Sequence, residues 1–291
     1  MTMKKRWFAL FTVPLFFAFI VVVIVPFVSG VYYSFVSWDG LPKNPMKFVG
    51  FANYAKAFRD ARFLSSLGRT TVFTLITMLT VNVLALGFAL VVTSKLRLRN
   101  VGRVMIFMPY LIGGLLLGYI WQFILGDCMA TLGTMTGKSQ LFFYWLSNKR
   151  FAFIGLIVVA TWQMAGYMMV IYIAGIQNIS GELTEAAAID GASGWQSLIH
   201  VTIPHPLLMP SITICLFLTL SNCFKIYDVN LALTGGGPAN STEMVSMNIF
   251  NEIFAKSNFG YGQAKAIVFF LIVAVITMLQ VRLTSSREVE V

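Results

Sequence analysis

The chain has 291 residues, 58% of them hydrophobic and 11% charged, with a formal net charge of +10. That balance excludes a soluble domain: the apolar runs are long enough to cross a hydrocarbon core of about 30 Å, which takes roughly 20 helical residues each. The basic excess would suit nucleic acid, but the Lys and Arg residues are scattered at the ends of apolar runs, as membrane flanks are.

Lys4-Lys5-Arg6 precedes an apolar run from Trp7 to Tyr33. It mimics a signal peptide, but it is too long and lacks a small-x-small cleavage site. It reads as a retained first span, 7–33, bent at Pro14 and Pro26. Residues 36–66 form a polar connector, in which Trp38-Asp39-Gly40 signals a turn. Asn53 is placed to cap a short amphipathic helix carrying Tyr54, Phe58 and Phe63. That helix suits either an outer-face contact or a cover lying on the membrane surface.

The second span is expected over 70–93. Lys95, Arg97, Arg99 and Arg103 follow as a basic connector, a density that favours the cytoplasm. The third span, 104–125, is loosened by Pro109 and Gly113-Gly114. Residues 126–150 return to polar character. Within them Gly133 to Ser139 imitates a phosphate loop, but only three residues separate Gly133 from Gly137 where four are needed, and no strand precedes it. The chain therefore carries no nucleotide engine of its own.

The fourth span covers 151–175 and the fifth 207–224. After the fifth come Phe224-Lys225-Ile226-Tyr227-Asp228 and a glycine-rich loop, Leu233-Thr234-Gly235-Gly236-Gly237-Pro238. Lys225 and Asp228, three apart, read as a snorkelling pair near the outer end of that span. Asn240-Ser241-Thr242 fits a glycosylation sequon, a match frequent by chance. The sixth span covers 264–281. Cys128, Cys215 and Cys223 have neither a disulfide pattern nor metal spacing, and His200 and His205 are too few for a zinc site.

Between the fourth and fifth spans lies a polar island, 176–206. Ser180 can cap a first short helix with Glu182 and Glu185 near its positive end. Gly191 suits its left-handed terminus. Ser193 and Gln196 form a capping box for a second helix, and Pro204, Pro206 and Pro210 keep that helix from running on. The first helix joins carboxylates to small residues, Ala186, Ala187 and Ala188, so it could seat in a partner's groove or lie on the membrane.

Glu185-Ala186-Ala187, Asp190-Gly191-Ala192 and Ile203-Pro204 resemble the EAA loop of membrane subunits of binding-protein-dependent ABC importers. Ser180 and Thr184 stand where that family often has Pro and Tyr. Phe48 to Tyr54 and the segment from Phe224 to Pro238 resemble its sugar and glycerol-phosphate branch. The resemblance covers nearly the whole chain and implies an all-α membrane protein of six spans, a single permease domain, with a cytoplasmic coupling helix. Glu182, Glu185, Ala186, Ala187, Asp190, Gly191 and Pro204 would couple to the ATPase. The implied partners are a second permease subunit, two ATPase subunits that hold ATP and Mg, and an extracytoplasmic sugar-binding protein. The chain itself would bind no cofactor and catalyse nothing.

Counting basic residues over all connectors does not orient the bundle, but the Lys4 to Arg6 flank favours a cytoplasmic N-terminus, and the EAA resemblance requires the same side for 176–206. No ionisable residue is expected deep in any span, which disfavours a self-sufficient ion-driven carrier. A polar solute would need Asn82, Trp121, Gln122, Trp162, Gln163, Asn222 or Tyr227 on its path, although each also suits helix–helix bonding or interfacial anchoring. Three rivals stay open: a secondary carrier, an importer of peptides or amino acids, and a non-transporting membrane receptor.

Overall fold

A computed structural model describes residues 2–94, 99–203 and 207–285. Among these residues, five helices are long and apolar enough to cross a membrane: Leu10–Ser34, Ala61–Thr93, Gly114–Thr136, Lys149–Gln177 and Phe259–Thr284. A sixth candidate is a helix pair, Met209–Phe224 and Asp228–Thr234, bent by 50° at its break. The chain divides into two compact units, Met1–Leu64 with Asn248–Ile272, and Ser65–Met247 with Val273–Val291.

In the first unit, α1 (Thr2–Phe19) passes through a π-helical turn at Ile20–Ile24 into α2 (Val25–Ser34). The helical path runs through both prolines: Pro14 lies inside α1, and Pro26 follows directly on the π-helical turn inside the same continuous helix, where its missing N–H removes one backbone bond. The apolar side chains of this segment are exposed almost throughout, as lipid-facing or partner-facing residues are. Two short strands follow, β1 (Val36–Ser37) and β2 (Lys47–Phe48), paired antiparallel with Val36 opposite Phe48.

Next comes α3 (Ala52–Ala57). Asn53 does not cap it. Its amide instead donates to the carbonyls of Ser34 and Val36, each at 2.9 Å, which fastens α3 to the end of the first span. The cap falls on Asp60, whose Oδ1 accepts from the backbone N–H groups of Arg62 and Phe63 at the start of α4 (Ala61–Thr93).

The last helix, α14 (Phe259–Ser285), begins five residues before the expected sixth span. Lys265 therefore lies about two turns inside the helix rather than at its edge, and it is fully buried. Its ammonium lies 2.8 Å from Asp60 Oδ2 and 2.9 Å from Glu252 Oε2, and it donates to Asn248 Oδ1 at 3.1 Å. Tyr261 donates its hydroxyl to Asp60 while its ring packs beneath Lys265 and Lys56. Burial alone would raise Asp60. Hydrogen bonds from Lys265, the Phe63 backbone and Tyr261, with the charge of Lys265, outweigh it and bring Asp60 down to about 2. Glu252 is lowered in the same way, against burial, by Lys265, Asn258 and Lys256.

In the second unit, the buried face of α4 carries Phe73, Thr77, Val81, Ala85, Ala89 and Val92 at three- and four-residue spacing. The expected third span, 104–125, straddles a break. Helix α5 (Arg99–Leu111) stops, Ile112 and Gly113 are non-helical, and α6 (Gly114–Phe123) continues through a π turn at Ile124–Cys128 into α7 (Met129–Thr136). Gly133 thus lies on a helix, not in a phosphate loop, and the expected polar connector at 126–150 is helical up to Thr136.

Helix α8 (Lys149–Gln177) starts at Asn148, whose side chain caps it, and is the most enclosed of the candidate spans. Glycines let the backbones close on one another. A Cβ on Gly166 of α8 would collide with the carbonyl oxygen of Ile106 on α5. The remaining helices are α9 (Gly181–Ile189), α10 (Gly194–Ser197), α11 (Met209–Phe224), α12 (Asp228–Thr234) and α13 (Val245–Phe250).

Beyond α12 the glycine-rich loop is tied together by hydrogen bonds around the buried Thr242. Asn230 donates to Thr242 O at 2.7 Å, and the Thr242 hydroxyl reaches Thr234 Oγ1 and Gly237 O, both at 2.8 Å. Thr242 has no exposed surface, so its hydroxyl is occupied rather than presented as part of a sequon.

Candidate substrate pocket and coupling loop

Two breaks in otherwise apolar helices meet in the second unit. One is Ile112–Gly113, between α5 and α6. The other is Lys225–Tyr227, between α11 and α12. Interrupted spans leave backbone groups and polar side chains facing a cavity, which is tolerated in a membrane only where they line protein or water. The cavity here measures about 260 Å³ and is lined by Tyr110, Gly114, Gln163, Asn222, Lys225, Tyr227 and Asp228, with Met164 and Val229 behind them.

Each wall has a local cause. Gln163 of α8 donates to Ile112 O at 3.2 Å, satisfying a carbonyl that the helix break frees. Tyr110 is held flat by Tyr167, ring centroids 4.5 Å apart and planes 8° apart. Asn222 lies in the last turn of α11, and Asp228 stands in the first turn of α12 beside its positive end. Lys225 and Asp228 make no ion pair with each other among the described residues. Both open into the pocket, unlike the snorkelling pair expected from their spacing. The site thus offers an ammonium, a carboxylate, two amides and two phenols over a small volume, a set able to donate to and accept from hydroxyl groups.

Of the seven path residues expected from sequence, Gln163, Asn222 and Tyr227 share this pocket. Asn82 does not line it. It accepts from the Tyr172 hydroxyl at 2.8 Å and donates to Met78 O at 2.7 Å, tying α4 to α8. Trp121 packs edge-on to Trp162 with centroids 5.5 Å apart, and Trp162 lines a separate apolar groove. Gln122 is half-buried on α6 and lines neither cavity. Tyr110, Lys225 and Asp228 were not anticipated as lining residues. The signals that could have found them are Pro109 with Gly113-Gly114, and the polar cluster that ends the fifth span.

The loop between α8 and α11 follows its sequence closely. Ser180 Oγ accepts from the Glu182 N–H at 3.3 Å. Gly191 has φ +83°, and the Ala192 N–H returns to Ala187 O at 2.9 Å, a left-handed helix end. Ser193 and Gln196 exchange the two bonds of a capping box, at 2.8 and 3.3 Å. Glu182, Glu185, Ala186 and Asp190 are exposed, and Ala187 is half-buried. Ile189 is 86% exposed, an apolar side chain offered beside the carboxylates. An open hollow bounded by Asp190, Gly191, Ala192, Gln196 and His200 adjoins them. Pro204 lies outside the described residues.

Among the described residues, five candidate spans, or six when the bent pair Met209–Phe224 and Asp228–Thr234 is counted as one, define an all-helical, multi-span membrane protein. Residues 81–288 match the model of the binding-protein-dependent transport system inner membrane component, and the chain belongs to that family of transport permeases. It is 44% identical over 284 residues to the probable starch degradation products transport system permease protein AmyD of Thermoanaerobacterium thermosulfurigenes, covering 98% of this chain and 96% of the relative. It is 32% identical to the multiple sugar-binding transport system permease protein MsmF of Streptococcus mutans, covering 91% and 90%. A bacterial ABC transporter involved in alginate import, solved by crystallography, has a chain with the same fold at a TM-score of 0.83 and 18% identity, over 98% of this chain and 97% of that one. The structure of an alginate transporter bound to a periplasmic protein that carries an alginate pentasaccharide matches at a TM-score of 0.79 and 17% identity.

Proposed function

We propose that this chain is one of two membrane subunits of an ATP-driven importer of oligosaccharides. The observation that carries the reading is full-length similarity to sugar permeases, 44% identity with a starch-product permease among them, together with a hydroxyl-matching pocket at the broken fifth span. The partners are a second permease subunit, two ATPase subunits and an extracytoplasmic sugar-binding protein. ATP and Mg are held by the ATPase subunits, and this chain binds neither. The termini and the loop 176–206 face the cytoplasm.

Residues Gly181–Ile189 with Glu182, Glu185, Ala186, Ala187, Asp190 and Gly191 form the lever that seats in the ATPase. Exposed carboxylates flanking the exposed Ile189 support a protein contact over a helix lying on lipid. Closure of the ATPase pair moves this lever, and the spans alternate between inward and outward openings. Sugar released from the binding protein passes Gln163, Asn222 and Tyr227, where amides and phenols replace part of its hydration and a tyrosine face can cover its C–H surface.

The deciding experiment is uptake of a labelled maltooligosaccharide into proteoliposomes holding the full complex, with ATP on the ATPase side. ATP-dependent accumulation that requires the binding protein supports the reading. Accumulation driven by a proton or sodium gradient without ATP would replace it with a secondary carrier.

A further inference from the structure

The first unit leaves an apolar face uncovered where its first span ends. Helix α3 turns its polar side inward: Asn53 and Ala57 are buried, and Asn53 is bonded to the carbonyls of Ser34 and Val36. Its outward side is Phe51, Ala55 and Phe58, at four- and three-residue spacing. Phe51 is 74% exposed and Phe58 60%, and Phe48, just before the helix, is 77% exposed. Lys47 and Arg59, their neighbours in the chain, are exposed as well.

This face continues the surface of the span. Val28 and Tyr32, both exposed on α2, and Phe35 follow one another at four- and three-residue spacing. The Phe35 ring meets Phe51 edge-on at 5.3 Å, and Tyr54 packs against both, at 5.5 and 5.8 Å. Phe35 stands directly after the last residue of α2, so the ring cluster fixes α3 at the level where the first span ends. The next span, α4, starts at Ala61, one turn beyond Phe58. Aromatic rings at that level, with basic side chains beside them, are the composition of a segment lying between acyl chains and head groups.

We propose that Phe48, Phe51 and Phe58 insert into the phospholipid interface on the membrane face where α2 ends, with Lys47 and Arg59 reaching the head groups. The inserted rings hold the end of α2 and the start of α4 at one depth in the bilayer. A protein docked on this face would have to displace lipid from rings that stand beside the end of a span, whereas lipid covers them where they are.

Spin labels on the full-length protein, reconstituted with its co-purifying subunits in phosphatidylcholine–phosphatidylglycerol vesicles, test this. Phe48→Cys, Phe51→Cys and Phe58→Cys are made singly in a background of Cys128→Ala, Cys215→Ala and Cys223→Ala. Val28→Cys marks the lipid-exposed span, and Lys43→Cys the exposed hairpin tip. Oxygen concentrates in hydrocarbon and a nickel chelate in water, so the ratio of their collision rates reads depth. At Phe51 and Phe58 the ratio should be several-fold above that at Lys43 and below that at Val28, a depth of about 5–10 Å. A ratio equal to that at Lys43 would place the face in water, and protection from both reagents would place it under a protein; either result overturns the proposal. Because Phe51→Cys removes a ring from the cluster, Phe58→Trp supplies a second reading. Its added emission should be quenched by brominated phospholipid and not by aqueous iodide, and the reverse would overturn the assignment.

Discussion

Lys265 Nζ lies 2.8 Å from Asp60 Oδ2, and the lysine has no exposed surface. The pair joins the N-cap of α4 to the interior of α14, residues far apart in the chain but within one compact unit. Glu252 completes the cluster at 2.9 Å. Breaking such a cluster by removing one partner leaves unmatched charge in a low-dielectric site, and that penalty exceeds the net value of the ion pair itself. Lys265→Met should therefore destabilise the protein by about 3–5 kcal/mol. The triple variant Lys265→Met, Asp60→Asn, Glu252→Gln should recover much of the loss. Thermal unfolding in detergent, followed by tryptophan fluorescence, reads both. Equal stability of the single and triple variants would show that unmatched charge is not the cause.

The same cluster makes a pH prediction. Asp60 is held at about 2, below its ordinary value of 3.8. A depressed carboxyl contributes stability that is fully present above its unfolded value and is lost as pH falls through the folded one. Glu252 is lowered as well and acts with the same sign. The melting temperature should thus decline from pH 4 towards about pH 2. In Asp60→Asn the decline should be shallower, starting from a lower plateau. Melting curves at closely spaced pH values compare the two slopes.

How much of this was legible in the sequence depends on the range of the forces involved. The loop at 180–200 could be read almost atom by atom, because a Ser–Gln capping box and a glycine at a helix end are decided by residues within one or two turns. The expected third span, 104–125, runs across a break because hydropathy does not register where a helix stops: the apolar second half of α5 and the start of α6 are separated only by Ile112 and Gly113. The buried position of Lys265 is not legible locally, because its partners Asp60 and Glu252 are distant in sequence and a buried lysine is admissible only once they are in place. Asn82 and Gln163 had the same sequence credentials. One bonds Tyr172 across helices and the other faces the pocket, a difference fixed by packing.

The lever reading gives a third prediction. Gly191 sits at φ +83°, where an L side chain costs about 1–2 kcal/mol. Gly191→Val should loosen the end of α9 while leaving the spans inserted. Glu185→Lys, on an exposed position of the same helix, should reverse a contact charge without altering the fold. In the reconstituted complex both should retain ATPase activity but lose most sugar uptake. Normal uptake by a stably assembled Glu185→Lys, Gly191→Val double variant would remove this loop from the coupling route.

The pocket gives the last prediction. Gln163 both faces the cavity and holds the freed Ile112 carbonyl at 3.2 Å, so replacing it changes the wall as well as a contact. Asn222 is exposed to the cavity and no helix-to-helix bond depends on it among the described residues, which makes it the cleaner test. Asn222→Ala removes one donor and one acceptor, and each lost hydrogen bond is worth about 0.5–1.5 kcal/mol. Uptake of a maltooligosaccharide should then need a several-fold higher concentration of sugar-loaded binding protein or proceed several-fold more slowly, while ATPase activity without sugar stays as in the wild type. Asn82→Ala should behave differently, because it cuts the Tyr172 bond between α4 and α8: it should lower the melting temperature and reduce the assembled complex rather than change transport per complex. If Asn222→Ala transports normally while Asn82→Ala alters transport without loss of stability, the sugar path runs along α4 and not through the break between α11 and α12.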